Sequence, residues 1–380
     1  MKFSIEREAL VKPLSLVSGV VERRQTLPIL ANVLLSVEDG VLSLVGTDLE
    51  VELSGRVALE DSAAIAGAVT VPGRKLFDIC KSLPEGSVID MQQDGANLIV
   101  RSGRSRFRLA TLPAAEFPVV DALNVRGSMT LDQLVLKGLI EQTGFAMAQQ
   151  DVRYYLNGML WELSQQAFRV VATDGHRLAT SHVDLEPGVV KGLSESEATQ
   201  IILPRKGVLE LSRLLQASGV PAEVSLGDNH LKVDTAAFTF ISKLVDGKFP
   251  DYQRVLPKNS TKAIIAEKDA LKSALSRAAI LSNEKYRGIK LNLSDHQLQV
   301  VANNPEQEEA EEVIQVEYQG DELEIGFNVS YLLDVLAVLV SANVKVSLSD
   351  SSGSALLEGV DTTSNAMYVV MPMRLNTNKQ

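Results

Sequence analysis

The chain has 380 residues, of which 45% are hydrophobic and 22% are charged, so we expect a soluble globular protein of about two to four domains. No apolar stretch approaches the roughly 18 residues of a membrane span, and charges begin at Lys2, which excludes a transmembrane protein and a secretory signal and predicts a cytoplasmic location. The single Cys80 excludes an intramolecular disulfide and a cysteine-based zinc site, and the net charge of -11 argues against a protein that grips nucleic acid with its whole surface.

The first third of the chain predicts two helices and an antiparallel sheet. Leu10, Leu14, Val17 and Val21 recur at the three- and four-residue spacing of a helix face. Pro13 conflicts with this pattern, because proline should kink the helix or mark a later start. The predicted elements are a helix within residues 6–24, strands at 33–37, 42–45 and 98–100, and a second helix at 74–82.

The remaining two thirds repeat the same order of elements. Thr130 and Gln133 form a capping-box pattern that predicts a helix start, and Pro204 fits the first turn of a later helix. Four helices are predicted within residues 131–150, 204–216, 267–287 and 329–341. The accompanying strands are predicted at residues 156–161, 168–171, 238–242, 289–293, 298–301 and 367–371.

Three segments of the sequence resemble one another at intervals of about 130 residues. Residues 42–48, 168–174 and 298–304 each read as an apolar strand that ends in Asp or Asn, and Phe117-Pro118 matches Phe249-Pro250 at a similar interval. A repeat of this length is the size of a domain. We therefore predict an α+β protein of three similar domains, each with two helices packed on antiparallel sheet, over residues 1–126, 127–251 and 252–380.

Charge is distributed unevenly along the chain. The six predicted helices are together net positive, whereas the rest of the chain is strongly acidic. Helices tolerate Lys and Arg well, but together they could form a mildly positive face inside an acidic exterior. A basic segment, 101–108, lies in the first third and an acidic one, 304–312, in the last. Each could be a solvated face, or the two could pair head to tail and close two chains into a ring of six similar domains.

The residues that could carry catalysis are few. The chain has four histidines, no Gly-x-x-x-x-Gly-Lys-Ser/Thr phosphate loop and no Gly-x-Gly-x-x-Gly fingerprint. Asp174 and His176 are close enough in sequence to form an acid–base pair in an enzyme that acts on a small substrate. A tight turn after a strand explains the same residues better, since the matching turns at 48–50 and 304–306 contain no histidine. A monomeric DNA-binding module is a further alternative, and its affinity for DNA would fall steeply with salt.

Long motifs of the chain closely resemble the bacterial DNA polymerase III beta subunit family, the sliding clamps. The resemblance implies the DNA clamp fold, a head-to-tail homodimeric ring with helices inside and sheets outside, threaded on duplex DNA without sequence specificity. It also implies a processivity factor with no catalytic activity and no cofactor or metal. The similarity covers residues 1–375, and its motifs lie at 26–30, 150–157, 173–178, 242–252, 278–285, 303–312 and 368–375.

The resemblance also implies three groups of site residues. DNA contacts are expected at Arg24, Arg74, Gln150, Tyr154 and Tyr155. The subunit seam is expected to pair Phe107 and Leu109 with Ile280 and Leu281, flanked by Lys75, Arg104 and Arg106 opposite Glu306, Glu309 and Glu312. A pocket for clamp-binding peptides is expected at Leu156, Thr173, Gly175, His176, Arg177, Leu178, Pro250, Arg254, Val255, Tyr331, Ser354, Val369, Val370, Met371, Pro372, Met373 and Arg374.

The implied partners are double-stranded DNA, a second copy of the chain, the polymerase III alpha subunit, the clamp loader, and other polymerases and repair proteins with clamp-binding peptides. No membrane partner is expected. The chain departs from the family in two places. Residues 376–380 extend beyond the usual end and are expected to be a disordered tail, although they could hang over the pocket, and the polar stretch 186–199 is expected to be a variable loop.

Overall fold

The structure is a computed structural model that describes residues 1–21, 27–120, 123–216, 218–258 and 260–374. Its six α-helices are α1 (Arg7–Ser18), α2 (Gly73–Ser82), α3 (Gln133–Thr143), α4 (Arg205–Leu214), α5 (Lys268–Ala278) and α6 (Val329–Val338). The first twelve strands are β1 (Lys2–Glu6), β2 (Asn32–Glu38), β3 (Val41–Thr47), β4 (Val51–Ala58), β5 (Gly67–Pro72), β6 (Val88–Asp94), β7 (Asn97–Ser102), β8 (Ser105–Ala110), β9 (Val125–Asp132), β10 (Gly158–Ser164), β11 (Ala167–Thr173) and β12 (Arg177–Asp184). The other twelve are β13 (Ala198–Pro204), β14 (Pro221–Gly227), β15 (His230–Asp234), β16 (Thr239–Lys243), β17 (Lys262–Glu267), β18 (Gly288–Ser294), β19 (Gln297–Asn303), β20 (Glu309–Gln315), β21 (Leu323–Asn328), β22 (Asn343–Leu348), β23 (Ala355–Gly359) and β24 (Met367–Val370).

The chain divides into two compact units. The first unit comprises residues 1–134, 189–193 and 213–244. It contains a four-stranded sheet in the order β1-β6-β7-β8 and an eight-stranded sheet in the order β5-β2-β3-β4-β16-β15-β14-β9. All pairings are antiparallel, and β4 meets β16 with Leu53 opposite Phe240. The eight-stranded sheet therefore joins strands from the first and second predicted domains.

The second unit comprises residues 135–188, 194–212 and those from 245 onward. It repeats the plan with a four-stranded sheet, β20-β19-β18-β21, and an eight-stranded sheet, β13-β10-β11-β12-β24-β23-β22-β17. Here β12 meets β24 with Ala179 opposite Tyr368. Two helices in each third of the chain, together with purely antiparallel sheets, confirm the predicted α+β class. The sequence did not predict that sheets continue across the domain boundaries.

Helix α1 shows how apolar spacing and backbone chemistry combine. Leu10, Leu14 and Val17 are buried on one face, as their spacing predicts. The helix begins at Arg7 and continues through Pro13, so the expectation of a later start is wrong. Pro13 is itself buried, and a Cβ added at Gly55 on β4 would lie 3.0 Å from the Pro13 Cβ. The proline therefore packs where the neighbouring strand carries no side chain.

Three predicted element ends in the middle third need correction. Strand β9 runs through Thr130 to Asp132, so the proposed capping box is wrong; instead the Asp132 Oδ1 accepts the N–H of Leu134 at 2.8 Å. Strand β10 begins at Gly158, because Leu156 lies in a 3-10 turn. Pro204 ends β13, and α4 begins at the next residue.

The buried face of helix α2 includes Leu76 and Cys80. Burial raises the pKa of the Cys80 thiol to about 12, so this cysteine stays protonated at physiological pH. No helix within the described ranges is long and apolar enough to cross a membrane.

Candidate functional site

A hydrogen-bonded turn joins β11 to β12 at one side of the candidate peptide pocket. The Thr173 hydroxyl accepts the N–H of Gly175 at 3.1 Å and donates to the carbonyl of Arg177 at 2.6 Å. The Asp174 Oδ1 accepts the N–H groups of His176 at 2.9 Å and Arg177 at 3.1 Å. Gly175 has φ +89°, which favours glycine. The Asp174 carboxylate thus orders the backbone and is not directed at the His176 imidazole, which argues for the turn and against an acid–base pair.

Beside this turn lies a largely apolar cavity of about 180 Å³. A cluster of buried apolar residues that includes Leu156, Leu178 and Val369 forms the floor of this cavity. Leu178 is only 2% exposed. A concave apolar surface with a few polar groups at its margin is typical of a ligand site. The cavity is lined by Arg153, Tyr155, Leu156, Thr173, Gly175, Arg177, Leu178, Phe249, Pro250, Tyr252, Val255, Val369 and Met371.

The cavity brings together about half of the residues predicted for the pocket. Val370 is fully buried, Arg374 is exposed, and Met373 pairs with Gly326 through a backbone hydrogen bond of 2.8 Å. The predicted pocket residues outside the lining are His176, Arg254, Tyr331, Ser354, Val370, Pro372, Met373 and Arg374. The lining residues that were not predicted for the pocket are Arg153, Tyr155, Phe249 and Tyr252. The sequence analysis expects Tyr155 to contact DNA instead, and the repeated Phe-Pro motif was the available signal for Phe249.

Arg177 links the turn to helix α6. Its guanidinium forms ion pairs with Asp174 and Asp334, and it lies 4.6 Å from the ring centroid of Tyr331 and 5.3 Å from that of Phe145. The His176 ring also stacks on Tyr331, with 6.2 Å between the two ring centroids. These contacts place His176 and Tyr331 at the cavity's margin although neither lines it.

Two polar pairs fix other parts of the margin. The Tyr252 hydroxyl donates to the Glu162 Oε1 at 3.1 Å, and burial raises the pKa of this tyrosine above its usual value. The hydrogen bonds from the Arg153 side chain lower the pKa of Asp151 to about 2. The cationic Arg153 and Arg177 therefore stand beside an apolar floor, which suits a peptide with apolar side chains and an acidic or polar group.

The residues predicted to touch DNA are mostly exposed. Tyr154 is 58% exposed and meets Tyr155 edge to face at 5.8 Å between centroids. Gln150 is exposed with φ 56°, and the exposed Arg74 donates to the carbonyl of Val21 at 2.9 Å. Arg24 lies outside the described residues.

Most predicted seam residues lie on the edge strands β8 and β20, in the turns that precede these strands, or in the turn after α5, whereas Lys75 lies on helix α2. On β8, Arg106 is exposed and Leu109 is buried against its own sheet. Ile280, in the turn after α5, is 76% exposed. Glu312 on β20 forms a two-point ion pair with Arg277 of the same chain, with both distances 2.7 Å. Lys75, Arg104, Glu306 and Glu309 are exposed, and Phe107 and Leu281 are half-buried.

Within the described parts of the chain, no three His, Cys, Asp or Glu side chains are grouped so that they could hold a metal ion.

Comparisons with known proteins cover nearly the whole chain. Models of the N-terminal, central and C-terminal domains of the DNA polymerase III beta subunit match residues 1–121, 130–251 and 253–374. A beta sliding clamp of Pseudomonas putida is 58% identical over 377 residues, covering 99% of this chain and 100% of the relative. The beta sliding clamp of Escherichia coli K12 is 54% identical over 375 residues, with the same coverage.

Solved structures of the same family are similar to this chain in both sequence and fold. The crystal structure of the DNA polymerase III subunit beta from Pseudomonas aeruginosa is 57% identical, with a TM-score of 0.95 over 99% of this chain and 100% of that chain. A sliding clamp of the same species, bound to griselimycin, is 57% identical with a TM-score of 0.94 and the same coverage.

Proposed function

Because the chain belongs to the DNA polymerase III beta subunit family, we propose that two copies close head to tail into a ring around duplex DNA. The protein is a non-catalytic processivity clamp for DNA replication. We place the clamp in the cytoplasm, where the DNA that it encloses lies. We divide the chain into three domains, at residues 1–126, 127–251 and 252–380.

Sheet topology is the observation that supports ring closure. In the first unit β4 pairs with β16, and in the second unit β12 pairs with β24. By position in the repeat, β4, β12 and β20 are equivalent, and so are β8, β16 and β24. Strands β8 and β20 are the members of these two sets that end a four-stranded sheet within the chain. Pairing β8 with the β20 of a second copy gives the third junction the form of the other two and removes two open sheet edges.

The two existing junctions also predict the register of the third. Leu53 lies opposite Phe240, and the equivalent Ala179 lies opposite Tyr368. Transferred to β8 and β20, this register sets Phe107 opposite the partner's Ala310. It then sets Arg106 opposite the partner's Glu311 and Arg108 opposite the partner's Glu309. The seam would thus pair opposite charges across neighbouring strands, which stabilises antiparallel pairing.

Enclosure explains how an acidic protein can act on DNA. A clamp that slides needs weak contacts with phosphates, so retention comes from the closed ring rather than from tight binding. Arg24, Arg74, Gln150, Tyr154 and Tyr155 would make such weak contacts, and the acidic remainder would discourage DNA from binding elsewhere.

The cavity beside the β11–β12 turn would capture partner peptides. Its apolar floor and its two arginines suit short segments of the polymerase III alpha subunit, the clamp loader and repair polymerases. Residues at its margin, including His176, Tyr331 and Arg254, would contact the same peptides outside the floor.

A topological experiment tests the proposal. The protein is loaded on nicked circular DNA, the salt concentration is raised, and the circle is then cut. Release only after cutting supports enclosure, whereas loss on raising the salt favours a monomeric DNA-binding module, and equal retention on circular and linear DNA refutes enclosure.

A further inference from the structure

The first unit contains a second cavity, of about 220 Å³, at the junction of β4 and β16. It occupies the position in the repeat that the peptide pocket occupies at the junction of β12 and β24. It is lined by Thr47, Leu49, Glu50, Val51, Glu52, Pro118, Val119, Val120, His230 and Lys243.

The turn beside this cavity has the same hydrogen bonds as the turn at Thr173. The Thr47 hydroxyl accepts the N–H of Leu49 at 3.1 Å and donates to the carbonyl of Val51 at 3.0 Å. The Asp48 Oδ1 accepts the N–H groups of Glu50 at 2.9 Å and Val51 at 2.8 Å. Leu49 takes the left-handed backbone, φ 75°, that glycine takes in the other turn. The two turns are therefore equivalent residue by residue.

The strand that closes each cavity is equivalent as well. The N–H of Lys243 donates to the carbonyl of Glu50 at 2.9 Å, and the N–H of Met371 donates to that of His176 at the same distance. Each cavity is also lined by a proline, Pro118 or Pro250, that follows a buried phenylalanine. The backbone of the peptide pocket is thus built twice, with different side chains.

The side chains give the second cavity the opposite charge preference. Glu52 lies where the peptide pocket has the floor residue Leu178, and Glu50 lies where it has His176. The Glu52 Oε2 accepts the N–H of Val120 at 3.1 Å, and burial raises the pKa of this carboxyl group. Apolar surface remains at the rim, where Val119 is 66% exposed. Two carboxylates and one ammonium, Lys243, leave the lining net negative.

We propose that this cavity binds a short apolar peptide segment of a partner protein that carries a lysine or arginine beside its apolar side chains. The apolar residues would cover Leu49 and Val119, and the cation would pair with Glu52. This site goes beyond the proposed function, because neither enclosure of DNA nor the first pocket requires it.

Two matched probes test the proposal on the full-length protein. Acetyl-Leu-Lys-Leu-Leu-amide and its analogue with Glu in place of Lys are titrated separately, and dissociation constants are measured by ligand-observed NMR. The glutamate probe suits the arginines of the first pocket, so we expect its affinity to be unchanged by a substitution at Glu52, whereas the lysine probe should lose affinity. Glu52→Gln should weaken the lysine probe by about fivefold, whereas Glu38→Gln, at an exposed carboxylate on β2 outside the cavity, should leave its binding unchanged.

The outcomes separate the alternatives. The Glu52→Gln variant should fold at least as stably as the unsubstituted protein. Its amide oxygen can still accept the Val120 N–H, and the substitution removes a negative charge that burial disfavours. The thermal unfolding temperature of the two proteins checks this. An equal loss of both probes in Glu52→Gln, no effect of Glu52→Gln on the lysine probe, or no binding of the lysine probe at millimolar concentration overturns the proposal. Loss of lysine-probe binding in Leu178→Ala but not in Glu52→Gln assigns the probe to the first pocket and also overturns it.

Discussion

Charge reversal at the proposed seam would test both ring closure and its register. The register opposes Arg106 to the partner's Glu311, and both side chains are exposed on their own strands. An exposed ion pair contributes about 0.2–1 kcal/mol, and like charges directly opposite each other destabilise by a similar amount. Arg106→Glu should therefore weaken each seam by about 1 kcal/mol. A ring has two seams, so its dissociation constant should rise by about 30-fold.

Sedimentation equilibrium over a range of protein concentrations measures that constant directly. A second substitution in the same chain, Glu311→Arg, should restore most of the lost affinity, because the pair is then re-formed with reversed charges. Arg56→Glu on β4 is the matched control, since it reverses an exposed arginine away from either edge strand. The effect of Arg106→Glu should shrink as salt is raised. An unchanged dissociation constant in Arg106→Glu refutes the seam, and failure of the double variant to recover refutes the register.

Three further predictions concern the peptide pocket and its margin. Leu178→Ala should cost about 2–4 kcal/mol in unfolding free energy and weaken capture of a polymerase peptide, measured by denaturation and fluorescence anisotropy; unchanged capture would contradict its place in the floor. Asp174→Ala should lose about 1–2 kcal/mol, because two N–H groups lose their acceptor, and should raise hydrogen exchange in the turn. The Asp151 carboxyl should titrate by NMR near pH 2 and return toward 3.8 in Arg153→Ala. Since its folded pKa is lowered, the stabilisation is present above pH 3.8 and is lost as pH falls toward about 2.

Periodic apolar patterns predicted most of the fold, because each repeat places strands and helices in the same order. Helix α2, strand β3 and strand β19 lie within a few residues of their predicted bounds. Local signals failed where long-range pairing decides the outcome. Thr130 satisfies a capping-box pattern, but pairing of β9 with β14 extends the strand past it to Asp132.

The candidate site was predicted less completely than the fold. The motif at 173–178 identified the turn, because its hydrogen bonds are local and its residue types are specific. The lining residue Tyr252 and the Asp334 partner of Arg177 come from distant parts of the chain, and no periodicity connects them. Glu312 was predicted to face another subunit, and its ion pair with Arg277 depends on the packing of α5 against β20.

Because Cys80 is buried, the unmodified protein has no thiol that is accessible to reagents. The chain has no other cysteine, and this one is inaccessible and protonated at neutral pH, so thiol reagents should not attach to the unmodified protein. A fluorophore can then be coupled to one chosen surface position without removing any native residue. In the proposed register, Arg106→Cys and Glu311→Cys would lie opposite each other across the seam, close enough for an oxidant to link two protomers covalently and lock the ring shut.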